Sequence, residues 1–153
     1  MTPHVEKRVR ESTAYFTVWW SPLFRMDKDV IIRRIPSQSG IFEVYRDEGG
    51  TQPELLGRSR AYYGGLRNTL RGLVDTISPY PLNGVPLELD RTHFVRYALL
   101  RSYDDMDDVL FFFANRGVED PDAEDSGRYE MIYVKEGSLR PDGRPLDNSR
   151  ALY

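Results

Sequence analysis

Pro36 to Gly72 constrains this chain more than any other stretch, because it carries a whole supersecondary unit in its punctuation. It reads P-S-Q-S-G-I-F-E-V-Y-R-D-E-G-G-T-Q-P-E-L-L-G-R-S-R-A-Y-Y-G-G-L-R-N-T-L-R-G. Ile41 to Arg46 is expected to be a strand, with Ile41, Glu43 and Tyr45 on one face and Phe42, Val44 and Arg46 on the other, because side chains alternate along an extended chain. Asp47-Glu48-Gly49-Gly50 is turn chemistry, so an antiparallel hairpin to a second strand at Glu54 to Gly57 follows. From Ala61 to Asp75 the spacing becomes helical: Leu66, Leu70, Leu73 and Val74 share a face, while Arg67 and Arg71 sit four apart on another. Gly64 and Gly65 would each cost roughly 1 kcal/mol inside a helix, so the regular helix should begin near them.

The flanks extend this unit. Residues 1 to 13 are polar and read as a loose arm or a short helix, and Ala14 to Trp20 as a strand with Trp19 and Trp20 serving the core. Asp27 is placed to cap a short helix from Lys28 to Ile35 that buries Val30, Ile31 and Ile35, leaves Arg33 and Arg34 in solvent, and stops before Pro36. Three prolines make Ser78 to Pro86 a loop. Thr92 to Arg101 has strong β character, and a helix is expected to start at Asp104 or Asp105 and end at Gly117. Val118 to Gly127 reads as an acidic loop, Arg128 to Lys135 as a strand, and Glu136 to Tyr153 as an irregular tail. The order strand, strand, helix, strand, helix, strand describes one α+β domain over residues 1–153, a small, mostly antiparallel sheet flanked by helices.

Composition narrows the chemistry. The 153 residues contain no cysteine, which excludes disulfides and thiolate metal sites, and His4 and His93 are the only histidines. A net charge of −3 argues against nucleic-acid binding by bulk electrostatics, so the distribution of cations matters more than their sum. Lys7, Lys28 and Lys135 are the only lysines; the remaining cations are arginines, suited to bidentate phosphate contact. No apolar run approaches the roughly 20 residues of a membrane span, so no membrane partner and a cytoplasmic location are expected.

Gly40-Ile41-Phe42 after Pro36, then Leu55-Leu56-Gly57 followed by Arg58-Ser59-Arg60, then an arginine-bearing helix, resembles the GIY-YIG nuclease superfamily over roughly residues 30–115. The resemblance implies a GIY-YIG-like fold and phosphodiester cleavage. A tyrosine or assisted water acts at phosphorus, an arginine stabilises the transition state, and a glutamate on the later helix holds a divalent cation such as Mg²⁺. Here Phe42 and Leu55 stand where the family has tyrosines, so the hydroxyls that could move a proton are missing. Arg67 is the best match to the catalytic arginine, with Arg71 one turn on, and Tyr63, or Tyr62, is a replacement tyrosine in an alternative register. The glutamate is absent. Asp107 or Asp108 could hold the cation through oxygen, although aspartates in a helix's first turn are also favoured by its dipole.

Three readings follow. In the first, a GIY-YIG-like domain with an impaired nuclease site binds DNA, RNA or a protein partner through an arginine strip of Arg58, Arg60, Arg67 and Arg71. In the second, Arg67, Arg71, a tyrosine from Tyr62-Tyr63 and an aspartate among residues 104–108 rebuild an active, divergent, metal-dependent endonuclease. In the third, the chain is an unrelated α+β protein-interaction module.

Overall fold

A computed structural model describes residues 1–115 and 124–146, together with the backbone of 150–151. Its elements, in chain order, are β1 (His4–Arg10), β2 (Thr13–Trp20), β3 (Phe24–Arg25), α1 (Lys28–Arg34), β4 (Gly40–Arg46), β5 (Glu54–Ala61), α2 (Gly65–Leu73), β6 (His93–Leu99), α3 (Tyr103–Ala114), β7 (Met131–Ser138) and β8 (Arg150–Ala151). Among the described residues the strands form one mixed sheet in the order β5-β4-β6-β1-β2-β7-β8, with β3 also pairing β6. Most pairs are antiparallel; β1 with β6 and β2 with β7 are parallel.

Helices cover both faces. On one face α1 and α2 bury Ile31, Leu66, Leu70 and Leu73 against Phe42, Val44 and Val95. On the other, α3 buries Met106, Val109, Leu110 and Phe113 against Ile41, Ala98 and the inward side chains Ala14, Phe16, Val18 and Trp20 of β2. The alternation expected for β4 therefore holds, but both of its faces are buried. Gly40 begins β4 where a Cβ would collide with the carbonyl oxygen of Ala98 on β6, so this position has no room for a side chain.

The capping expectations are met at α1, where the Asp27 carboxylate accepts the Val30 N–H at 2.9 Å. The regular part of α2 starts at Gly65. For α3 the cap is Ser102, which accepts the Asp105 N–H at 3.2 Å, and Asp104 and Asp105 occupy the first turn rather than the cap. The expected stop at Gly117 lies outside the described residues.

Two flanks differ from expectation. Residues 4–10 form β1, a strand of the β1–β2 hairpin, instead of an arm or helix; its side chains are largely exposed, so no apolar alternation marks it. β7 runs three residues beyond Lys135, because its parallel register with β2 continues from Thr13↔Met131 to Trp20↔Ser138. Gly137 looks like tail chemistry in sequence, yet it sits within this strand opposite Trp19, where a Cβ would collide with the Trp19 ring.

Candidate functional site

The strand alternation that sets the fold also divides the expected arginine strip. Arg58 and Arg60 of β5 lie opposite Glu43 and Ile41 of β4, which places them on the α3 face. The Arg58 Nε donates to Glu43 Oε2 at 2.5 Å, and its guanidinium lies 4.4 Å from the centre of the Phe113 ring. Arg60 meets Asp107 at 2.6 Å and donates to the Tyr103 hydroxyl at 2.6 Å. Arg67 is on the opposite side of the sheet, where its Nε donates to the Ile35 carbonyl at the end of α1 at 2.8 Å. Arg71 is exposed along α2. The four arginines do not form one strip, because α2 crosses to the face that Arg58 and Arg60 turn away from.

Glu43 anchors the α3 face and is fully buried. It accepts from Arg58, from Arg96 Nε at 2.5 Å and from the Tyr45 hydroxyl at 2.7 Å. Arg96 also lies 3.7 Å from Glu136, whose Oε1 accepts the Trp20 indole N–H at 2.8 Å. Burial, reinforced by Glu43, pushes the Tyr45 phenol and the Glu136 carboxyl above their ordinary values. Burial pulls the Arg96 guanidinium down, but Glu43, Tyr45 and Glu136 more than offset it. Two carboxylates thus match two guanidiniums, and the set fastens β2, β4, β5, β6 and β7 to one another. Alternation identified the face of Glu43 but not its burial.

The aspartates proposed as metal ligands lie on α3 and are engaged by protein groups. Asp108, fully buried, accepts the Ser126 N–H at 2.7 Å, the Ser126 hydroxyl at 2.9 Å and Arg128 Nη2 at 2.8 Å. Arg128 also reaches Asp105 at 2.7 Å, and Lys7 meets Asp105 at 3.0 Å. Asp107 pairs with Arg60; its carboxyl is raised by burial, against Arg60 and with neighbouring Asp104, Asp108 and Glu124. Among the described residues no group of three or more His, Asp or Glu side chains is arranged to hold a metal ion. Phe42 is buried beneath α2, whereas Leu55 pairs with Tyr45 on the α3 face. Phe42, Leu55, Arg67 and Asp107 or Asp108 therefore do not converge on one surface.

Two of the expected residues do meet. Tyr63 and Arg71 line an open groove of about 930 Å³ bounded by the start of α1, the outer side of α2, the 74–80 loop and the start of β6. Lys28 and Tyr80 line it as well, and the sequence reading missed both. Tyr63 is 85% exposed and Tyr80 59%. Among the described residues neither Lys28 nor Arg71 makes a salt bridge, whereas Arg91 at the rim is held by Glu48 at 2.8 Å. The groove's two acids are occupied by backbone: Asp27 caps α1, and Asp75 accepts the Ile77 and Ser78 N–H groups, which hold its carboxyl below the usual range. His93 also lines the groove, but it is buried, and burial lowers its pKa, so it is a neutral wall residue at neutral pH. The patch is legible only in three dimensions, since Lys28, Tyr63, Arg71 and Tyr80 come from three separate segments.

Fold and site together define an α+β protein with a helix-covered mixed sheet, an ion-paired interior face and an open cationic, aromatic groove on the other side. The chain belongs to the family whose description is "Uncharacterised protein", and the family's model matches residues 4–141. No curated protein and no solved structure matches it. Among the described residues, no helix is long and apolar enough to cross a membrane.

Proposed function

We propose that this chain is a binding module on a GIY-YIG-like scaffold, taking a single strand of nucleic acid in the groove beside α2 without cleaving it. The observation that carries this reading is the convergence of Tyr63 and Tyr80 with Arg71 and Lys28 on one open groove. Exposed aromatic rings give unpaired bases a stacking surface worth about 1–3 kcal/mol per base, and unpaired cations beside them suit the phosphates between. A duplex keeps its bases stacked on one another and would use only the cations. The scaffold reading is supported by the succession β4, β5, α2, β6, α3 and by Gly40-Ile41-Phe42 leading the strand that lies between β5 and β6.

Binding without cleavage is supported by the side chains themselves. Phe42 has no hydroxyl and is buried, Arg67 is tied to a backbone carbonyl, and Asp107 and Asp108 lie on α3, across the sheet from Arg67 and Arg71 on α2, each already engaged by an arginine. Phosphoryl transfer needs cations and a proton acceptor gathered around one phosphate, and the expected residues are spread over two faces.

Fluorescence anisotropy with a labelled single-stranded oligonucleotide at low salt tests the proposal. Tyr63→Ala is expected to weaken binding by about 1–3 kcal/mol, and Arg71→Ala to lower the slope of log affinity against log salt by about one. Absence of binding at low salt overturns the nucleic-acid reading. Mg²⁺-dependent nicking that is lost in Arg67→Ala overturns the non-cleaving part and favours the divergent nuclease.

A further inference from the structure

A second cationic surface lies at the C-terminal end of α1. Two adjoining grooves, of about 550 and 280 Å³, share Thr2, Arg33, Arg34 and Tyr97 in their walls. Arg140 completes the larger and Arg67 the smaller, and neither lining includes an aspartate or glutamate. Among the described residues none of these four arginines makes a salt bridge; Arg33 and Arg67 donate only to the backbone carbonyls of Asp29 and Ile35. Asp142, in the same turn as Arg140, is paired with Arg144 at 3.9 Å.

Helix electrostatics accounts for part of this. Arg33 and Arg34 fall in the last turn of α1, where cations are favoured by the helix dipole. Arg67 comes from α2 and Arg140 from the turn after β7, so the dipole of α1 does not explain their presence. The walls between the arginines are apolar: Pro22, Leu23, Phe24, Tyr97, Leu139 and Pro141 line the larger groove, and Leu23 is 44% exposed. A polyphosphate strand needs cations but gains little from an aliphatic and proline-lined wall. A peptide that alternates carboxylates with apolar side chains matches both features, since each guanidinium can hold a carboxylate while the apolar side chains leave water against Leu23 and Phe24.

We propose that this arginine-rimmed apolar groove is a docking site for an acidic protein segment carrying aliphatic or aromatic anchors. It is separate from the groove that carries the nucleic-acid proposal and stands on different residues. A labelled peptide alternating glutamate with leucine, titrated into the full chain, tests it. Binding is expected to fall on the order of tenfold or more in the double variant Arg34→Glu, Arg140→Glu. Leu23→Ser is expected to weaken it severalfold, and Arg71→Glu, in the other groove, to leave it unchanged. Both charge-reversed residues are exposed and make no ion pair among the described residues; Arg34→Glu loses only its favourable place at the end of α1, so the melting temperature should fall by no more than about 4 °C and serves as the folding control. Backbone amide shifts on titration should cluster at residues 22–24, 33–35 and 139–143.

Four results would overturn the proposal. The peptide does not bind at low salt; a glutamate–serine peptide of equal charge binds as tightly; a single-stranded oligonucleotide displaces the leucine peptide from this groove with equal affinity; or Arg71→Glu is as damaging as the double reversal. The third would make the groove a phosphate track, the fourth would place the peptide beside α2.

Discussion

The two faces of the sheet use the same residue for opposite ends. On the α3 face Arg58, Arg60, Arg96 and Arg128 each lie 2.5–2.8 Å from a carboxylate, and the carboxylates of Glu43 and Asp108 are fully buried. On the α1/α2 face Arg33, Arg34, Arg67 and Arg71 have no acidic partner among the described residues, while Arg46 and Arg91 at its rim are held by Glu48. An arginine count of the chain does not separate them. What separates them is where the carboxylates fall: a paired guanidinium is fold, an unpaired one is free to meet a ligand.

The largest test of that contrast is Glu43→Ala. It leaves the half-buried Arg58 and Arg96 without their common counter-charge, and removal of one partner of a buried ion pair costs about 3–5 kcal/mol. Urea unfolding should show a loss in that range; a loss under about 1 kcal/mol would mean that the network is not what fastens the inner face. Asp108→Ala comes next, stranding the Ser126 N–H and leaving Arg128 with Asp105 as its one carboxylate, with an expected cost of about 1–3 kcal/mol in the same measurement.

The smallest effect is a pH dependence. The Glu136 carboxyl is raised in the folded protein by burial first and by Glu43 second. Between its unfolded value of about 4.3 and the raised folded value, the native state binds more protons than the unfolded one, so this group's contribution to stability falls as pH rises through that window. Glu136→Gln keeps an acceptor for the Trp20 indole and removes the titration. The variant should therefore gain on the wild type as pH climbs from acid toward neutral, the smallest of these effects. An unchanged difference across the window would show that Glu136 does not titrate abnormally. Trp20 fluorescence, reporting the hydrogen-bonded indole, follows the same transition locally.

Local patterns carried much of the fold and little of the site. Asp27 and the glycines at 64 and 65 marked helix starts because caps and glycine conformations are properties of a few adjacent residues. β1 was hidden because its side chains stay in solvent, and β7 ran past its expected end because pairing with β2, a long-range event, carries it through Gly137. The arginines failed for a related reason. A register irregularity between Val44 and Tyr45 fits Leu56 into β5, and β5 runs on to Ala61, so Arg58 and Arg60 turn toward α3 before α2 crosses to the other face. Sequence order kept the four arginines together; the third dimension divided them. Tyr63 and Arg71 were legible, but Lys28 and Tyr80 join them only through the packing of α1 and the 74–80 loop against α2.

The division between paired and free arginines is tested most directly by comparing Arg60→Ala with Arg71→Ala in the salt dependence of single-stranded oligonucleotide binding. Arg60→Ala is expected to leave the salt slope unchanged while lowering stability, because Arg60 is held by Asp107 and Tyr103. Arg71→Ala is expected to lower the slope by about one and leave stability within about 0.5 kcal/mol. Equal slopes for both variants, or a loss of slope in Arg60→Ala alone, would contradict the account.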